Sequence, residues 1–157
     1  MKKYKLKENI ELIVADKVID KINNYRQING EKEAGGILLG RIKSDYSRYI
    51  LEDISEPCNK DKRFKYSFVR NKDKAQKIIN DAFYNSNGIM QYLGEWHTHP
   101  ECNPKPSFCD KKLMKDSIKE TKNVSNIIFM IILGYDGSMY VGHITKDKKK
   151  LVEIFEE

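Results

Sequence analysis

Two histidines separated by a single residue are the first candidates for chemistry. His97 and His99 end a segment rich in Tyr and Trp that is typical of a β-strand. Side chains at i and i+2 of a strand project from the same face, so both imidazoles can grip one metal ion. The same spacing also occurs on strands that bind nothing, so the pair needs further partners before it predicts a metal site.

A third candidate ligand follows a proline-rich loop over residues 100–106. Ser107 predicts the start of a helix, and Asp110 lies in its first turn, from where the carboxylate can reach the strand end. Two histidines and one aspartate leave a fourth position for water, which is the open arrangement of catalytic zinc. Ser-x-x-Asp is also a helix-capping arrangement, and this interpretation stays open.

Glu33 is the candidate for proton transfer. It stands just before an apolar segment that contains Gly35, Gly36 and Gly40, and glycines permit close approach between neighbouring backbones. Its carboxylate can therefore face a site on the adjacent strand and act as a general base. Taken by itself, Glu33 is better explained as a solvated charge at the start of a strand, and only its combination with the other candidates supports a catalytic role.

The segments that position these residues show helix and strand periodicities in turn. Helices are predicted over residues 16–29 and 71–87 and from 107 to about 121, with Asn71 as an N-cap. Strands are predicted over residues 35–43, 47–55, 90–99, 126–133, 138–145 and 151–155. With no internal repeat and no linker, this pattern predicts one α/β or α+β sheet domain over residues 1–157.

The composition describes a globular chain with a solvated, basic surface. Of 157 residues, 39% are hydrophobic and 33% are charged, and the formal net charge is +6. The lysines are scattered along the chain. Tyr and Phe do lie among lysines at residues 60–70, but that stretch matches no RNA- or DNA-binding motif. We therefore do not expect nucleic acid as a partner.

The cysteines and the first residues indicate the compartment. Cys58, Cys102 and Cys109 cannot all pair, and none is part of a CxxC motif. The chain start lacks the apolar core of a secretory signal, and no apolar run approaches the roughly 20 residues that cross a bilayer. These features predict a cytoplasmic protein with no membrane as a partner. Cys102 and Cys109 flank the candidate site, but water activated by a metal needs no protein nucleophile.

Four further residues, of which His143 is far from the motif, receive no catalytic role. Glu101 follows Pro100, so its direction cannot be derived from the sequence, and we treat it as loop surface. His143 is a lone histidine in a late strand, where packing explains most histidines. Trp96 and Thr98 alternate with the two candidate ligands and should therefore pack into the core.

In combination, the candidate residues resemble a known signature. Glu33-x-x-Gly, then His97-Thr98-His99-Pro100, six intervening residues and Ser107-x-x-Asp110 are similar to the JAMM (MPN+) motif of zinc-dependent, deubiquitinase-like metallopeptidases. The similarity extends to the order of helices and strands over most of the chain. It implies an α/β fold, the cytidine-deaminase-like JAMM sandwich, in which helices flank a mixed central β-sheet.

The resemblance also implies a role for each residue. One Zn²⁺ would be held by His97, His99 and Asp110, and its bound water would be the nucleophile. Glu33 would act as general base, and Ser107 would stabilise the oxyanion. Many MPN domains lack the metal ligands and serve as scaffolds. A non-catalytic scaffold or interaction module therefore remains the alternative, and the intact set of motif residues argues against it.

Within that family, residues 94–101 look closest to bacterial JAB proteins, including the deconjugases of CBASS antiviral operons. This similarity implies a zinc metallopeptidase that removes a conjugated protein or processes a C-terminal tail by hydrolysing an amide or isopeptide bond. The implied partner is a protein, presented as an extended C-terminal tail or as a ubiquitin-like or nucleotidyltransferase conjugate. We expect loops over residues 58–66 and 121–125 to select it.

Overall fold

The computed structural model describes residues 1–121 and 125–157, which form strands and helices in alternation. The helices are α1 (Asp16–Asn23), α2 (Lys72–Asn85) and α3 (Phe108–Glu120). The strands are β1 (Lys2–Lys7), β2 (Ile10–Val14), β3 (Gly35–Ile42), β4 (Arg48–Ile54), β5 (Lys62–Arg63), β6 (Phe68–Val69), β7 (Gln91–Thr98), β8 (Ile127–Leu133), β9 (Met139–Thr145) and β10 (Val152–Glu153). In these described ranges no helix is both long and apolar enough to cross a membrane.

Eight of the strands form one mixed sheet in the order β1-β2-β4-β3-β7-β8-β9-β10. The β2–β4 and β7–β8 pairs are parallel, and the other pairs are antiparallel. Tyr4 of β1, at one edge of the sheet, forms an antiparallel bridge with Glu156, which follows β10 at the other edge. The sheet is therefore curled. Strands β5 and β6 form a separate two-stranded hairpin. This architecture confirms the predicted α/β fold with a mixed central sheet flanked by helices.

A hydrophobic core lies on each face of the sheet. On one face, Val18 and Ile22 of α1 pack with side chains such as Leu38 and Trp96. On the other face, α2 and α3 contribute a second set, in which Met114 is fully buried. The residues of this second set are Ile37, Leu39, Ala75, Tyr92, Met114, Ile118, Ile128, Met130, Ile132, Tyr140 and Ile144. The central strands are therefore covered on both sides, which holds their ends firmly.

Strand β7 carries residues for both faces and contains an irregularity at Gly94. The pairing register with β3 shifts between the Leu38–Gly94 and Leu39–Tyr92 pairs. Gly94 has φ 141°, and a Cβ there would lie 1.9 Å from the carbonyl oxygen of Phe129, so only glycine fits. Because of this bulge, Tyr92 and Glu95 approach each other although they are three residues apart, and the tyrosine hydroxyl donates to the Glu95 carboxylate at 2.7 Å.

The structure corrects several predicted boundaries. Helix α1 ends at Asn23, six residues before the predicted end, because Tyr25 turns onto the Trp96 ring at 5.5 Å between centroids. Strands β1 and β2 had no counterpart among the predicted segments, and the predicted loop over residues 58–66 contains β5. The predicted N-cap is confirmed, since the Asn71 side chain accepts from the Lys74 amide. Of the second predicted selection loop, residues 122–124 lie outside the described residues.

Candidate metal centre

The candidate centre lies where the end of β7 meets the start of α3. His97 is in β7 and His99 follows that strand by one residue, and the loop over residues 100–106 returns the chain to Ser107. Ser107 Oγ accepts from the Asp110 amide at 3.1 Å, and the Ser107 amide donates to Asp110 Oδ2 at 2.8 Å. This capping box fixes the carboxylate against the strand end. The capping and ligand interpretations of Ser-x-x-Asp are therefore compatible.

The three candidate ligands converge in space. His97 Nε2 lies 3.0 Å from His99 Nε2 and 3.1 Å from Asp110 Oδ1. His99 Nε2 lies 3.1 Å from Asp110 Oδ2. Ligand atoms that are about 2.0–2.2 Å from a tetrahedral zinc ion stand roughly 3.3–3.6 Å apart, so a small outward adjustment would admit the ion. Two imidazole nitrogens and one carboxylate suit zinc with an open fourth position, and the residues present therefore fit it.

The cluster is electrostatically coupled. Burial raises the pKa of Asp110, but hydrogen bonds with His97 and His99 outweigh that effect and hold the pKa well below its usual range. Burial lowers the pKa of His99, yet hydrogen bonds with Asp110 and Glu101 dominate and raise it to about 9. The metal-free cluster therefore holds a proton at neutral pH, and binding of a metal must displace it.

Glu101 is a contact of the cluster that the sequence did not reveal. Its Oε1 lies 2.9 Å from Nδ1 of His99, although about half of its side chain is exposed. Glu101 is exposed loop surface, as the sequence analysis treated it, but it also contacts His99. A carboxylate in this place orients the imidazole and leaves Nε2 directed at the cluster. A carboxylate two residues after a candidate ligand was the available signal, but the direction of the chain after Pro100 could not be derived.

Glu33 lines the same groove as the cluster and is only 4% exposed. Burial raises the pKa of its carboxyl group to about 7, opposed by the positive charge of His99 and reinforced by the negative charges of Asp110 and Glu101. Its amide donates to the carbonyl of Phe64, and Arg63 Nε donates to its own carbonyl, each at 2.8 Å. The structure thus brings together all five residues that the sequence singled out.

The groove has a volume of about 850 Å³ and extends from the cluster between the β5–β6 hairpin and α3. Tyr66, Phe68 and Leu113 supply apolar walls. The groove is also lined by a buried ion pair, in which Arg70 Nε and Nη2 donate to the Glu95 carboxylate at 2.9 and 2.8 Å. The sequence analysis missed this pair, and its signal was an acidic residue in a strand that is otherwise buried, which needs a partner.

The other residues that the sequence analysis considered lie outside the group of three candidate ligands. His143 is buried on β9 and is not part of the ligand group, as the sequence predicted. Trp96 and Thr98 are buried, which confirms that they belong to the core. All three cysteines are free, and the Sγ of Cys102 donates to the Tyr135 hydroxyl. Cys109 is exposed and lines the groove.

In this α/β fold, a central strand of the mixed sheet ends at a His-His-Asp cluster, and a buried carboxyl group lies beside the cluster. This arrangement defines a candidate hydrolytic metal centre. The chain belongs to the family described as prokaryotic homologs of the JAB domain, whose model matches residues 15–147. This membership confirms the family resemblance that the motif indicated.

Two curated relatives cover nearly the whole chain. A protein named CD-NTase/cGAS isopeptidase from Escherichia coli is 36% identical over 146 residues, which is 90% of each chain. A protein of the same name from Vibrio cholerae is 28% identical over 155 residues, covering 98% of this chain and 93% of the relative. Among solved structures, the solution structure of a Desulfitobacterium hafniense protein covers 93% of this chain and 89% of its own, at 21% identity and a TM-score of 0.62. That likeness concerns the fold alone.

Proposed function

We propose that this protein is a zinc-dependent isopeptidase of the JAMM type that removes a conjugated protein in a CBASS antiviral system. The observation that carries the proposal is the convergence of His97, His99 and Asp110 beside the buried Glu33 in one open groove. Two relatives that match nearly the whole chain are named isopeptidases, which supports the proposed hydrolysis of an isopeptide bond and a protein conjugate as the substrate. The free cysteines are consistent with action in a reducing cytoplasm.

The metal assignment follows from the ligand chemistry. His97 and His99 would supply Nε2 and Asp110 a carboxylate oxygen to one zinc ion. Bound there, zinc would acidify a water molecule and polarise the scissile carbonyl group. The capping box keeps Asp110 in place before the metal arrives, and Glu101 does the same for His99.

Glu33 is the proposed general base and acid. With a pKa of about 7, its carboxyl group is divided between the charged and neutral forms near neutral pH. A group balanced in this way can take a proton from the attacking water and return it to the leaving amine. Burial beside the cluster makes this possible, because a solvated glutamate would remain ionised and would donate poorly.

Ser107 is the proposed donor to the oxyanion. Its Oγ already accepts from the Asp110 amide, so its own hydroxyl proton remains available for donation to another acceptor. Its side chain lines the groove next to the cluster. A donor held by a helix cap needs little reorganisation when negative charge develops on the carbonyl oxygen.

The proposed substrate is a folded protein that presents an extended C-terminal tail. The groove is open, partly apolar and, at about 850 Å³, large enough to admit a chain segment. The name of the two relatives points to a CD-NTase conjugate, and a nucleotidyltransferase joined through its C-terminus is the first substrate to test. A ubiquitin-like protein joined in the same way is the second.

The test compares wild type with Glu33→Gln, and Glu31→Gln serves as a matched control two residues away. Each purified protein is assayed for zinc and incubated with a CD-NTase conjugate, with and without chelator. We expect one zinc in all three proteins, chelator-sensitive cleavage by wild type and Glu31→Gln, and cleavage that is roughly 10²–10⁴-fold slower in Glu33→Gln. Full activity in Glu33→Gln would refute the assigned base.

The scaffold alternative makes the opposite prediction for metal. A non-catalytic MPN module does not need a set of converging metal ligands. It should therefore neither bind zinc nor cleave a substrate in a chelator-sensitive reaction. Wild type that purifies and reconstitutes without zinc would therefore favour the scaffold. Zinc retention without cleavage of either conjugate would refute the proposed substrate class and leave the metal site supported.

A further inference from the structure

The segment that enters β3 is held by the β5–β6 hairpin through its main chain. The Glu33 amide donates to the carbonyl of Phe64 at 2.8 Å. Arg63 reaches the other side of the same residue, where Nε donates to the Glu33 carbonyl at 2.8 Å and Nη2 donates to the Lys32 carbonyl at 3.3 Å. Both main-chain polar groups of Glu33 are therefore bound by the hairpin rather than by the central sheet.

The next residue belongs to the sheet. Ala34 donates to Thr98 Oγ1 at 3.0 Å, and the Thr98 amide donates to the Ala34 carbonyl at 2.9 Å. The main chain thus changes partner between Glu33 and Ala34. The sheet fixes Ala34 beside β7, whereas the orientation of Glu33 over the cluster depends on Arg63 and Phe64.

Two further contacts join the hairpin to this segment. A Cβ on Gly35 would lie 2.6 Å from Cδ1 of Phe68, so the aromatic ring rests directly against the strand entry. Gln27 Nε2 donates to the Glu31 carbonyl at 2.9 Å and to the Lys65 carbonyl at 3.1 Å. The hairpin and the residues before β3 therefore form one hydrogen-bonded unit, and Arg63 lies at its centre.

We propose that Arg63 is a positioning residue that holds Glu33 in place by binding two successive carbonyl groups, Lys32 and Glu33. The proposal rests on the role assigned to Glu33 above. A planar guanidinium can donate from two nitrogens in a fixed geometry, which a lysine ammonium cannot reproduce. Because a misplacement of about 1 Å can lower a rate by about 100-fold, a contact that does not touch the substrate can still control the reaction.

The first experiment measures amide hydrogen exchange in the metal-loaded protein. The variants are Arg63→Ala and Arg63→Lys, and the matched control is Lys62→Ala, which removes an exposed side chain from the same strand. We expect exchange at the Glu33 amide to become roughly five- to tenfold faster in Arg63→Ala, with a smaller change in Arg63→Lys. The Thr98 amide should stay within about twofold, which shows that the sheet remains folded. Unchanged exchange at Glu33 would overturn the proposal.

The second experiment measures kcat and KM on the conjugate that wild type cleaves. Arg63→Ala should lower kcat by about 10–100-fold while KM stays within about twofold, because the substrate groove is intact. Ethylguanidinium at a non-denaturing concentration should restore part of kcat to Arg63→Ala and none to Lys62→Ala. A kcat within twofold of wild type would overturn the role of Arg63 in positioning.

The two readouts separate failure of this inference from failure of the proposed function. If wild type cleaves neither conjugate, the proposed function fails, and hydrogen exchange still decides whether Arg63 holds Glu33. If wild type is active and Arg63→Ala is equally active, the function stands and the positioning role falls.

Discussion

The two sides of the groove are built in different ways. The metal side rests on β7, which pairs with β3 and β8 in the middle of the sheet, and His97 is only 5% exposed. The base side rests on a hairpin with two residues in each strand, whose Tyr66 and Val69 are 73% and 57% exposed. The proposed ligands are thus fixed by the core of the fold, whereas the proposed base is held by a small local element.

This difference has a physical consequence. Residues in a doubly covered strand open only when the whole sheet unfolds, whereas a short hairpin with exposed side chains opens at much lower free energy. Metal ligands tolerate little misplacement, so a rigid support suits them. The proposed base also tolerates little misplacement, so its position depends on specific hairpin contacts such as the Arg63–Glu33 hydrogen bond rather than on burial in the sheet.

The largest effect is expected when one proposed metal ligand is removed. Asp110→Asn keeps an oxygen that can accept from the Ser107 amide, so the helix cap should survive. It removes the charged ligand, and zinc affinity should therefore fall by more than about 100-fold, beyond the loss typical of an outer-shell contact. Competition with a chromophoric chelator measures this change. Asp116→Asn on the same helix is the control, and equal affinities for the two variants would contradict the assignment.

A smaller effect is expected from the support of the metal side. Glu101→Ala removes the carboxylate that orients His99, and zinc affinity should fall by about 10–100-fold. Lys105→Ala is the control, since it removes an exposed side chain of the same loop that pairs with Glu153. The same competition measurement applies. A change below twofold in Glu101→Ala would show that the ring of His99 is held by the cluster alone.

The smallest effect is expected on the free energy of unfolding, which ionisation of the buried Glu33 lowers. Because folding raises the pKa of Glu33 from 4.5 to about 7, the folded state binds more protons than the unfolded state, and stability falls as pH rises through that interval. Glu33→Gln removes this loss. The metal-free variant should gain about 1–2 kcal/mol at pH 8, within the ceiling of roughly 3 kcal/mol that the full pKa shift sets.

Denaturant unfolding of the metal-free proteins at pH 8 and pH 4.5 measures this gain. The difference between Glu33→Gln and wild type should nearly vanish at the lower pH, because the wild-type carboxyl group is then mainly protonated in the folded state. Glu31→Gln should follow wild type at both values. An equal gain at both pH values would assign the effect to packing rather than to charge.

The sequence was sufficient where local signals and the motif agreed. The Asn71 cap, α2, α3 and the five motif residues follow from spacing that acts within a few residues or from the family pattern. It was insufficient where contacts join distant segments. Strand β1 pairs with β2, and β2 pairs in parallel with β4, but nothing within residues 2–14 reveals this parallel partner.

The same reason explains the missed supports of the site. Arg63 binds the carbonyl of a residue thirty positions earlier, and Arg70 pairs with Glu95 across twenty-five positions. The hairpin that carries Arg63 has only two residues in each strand, which is too short for a periodicity to be visible. The residues of the candidate site were therefore predictable from their types and the family pattern, whereas the distant contacts that support them became visible only in the fold.

The capping box offers a built-in reporter of metal loading. Asp110 Oδ2 accepts the Ser107 amide at 2.8 Å and also lies 3.1 Å from Nε2 of His99. If the cluster binds zinc as proposed, the ion will draw electron density from this carboxylate and weaken its hydrogen bond with the amide proton, so we expect the amide chemical shift of Ser107 to differ between zinc-loaded and metal-free molecules. A single nuclear magnetic resonance peak can thus count the loaded fraction during a titration, in a cell extract or after chelation, without any substrate.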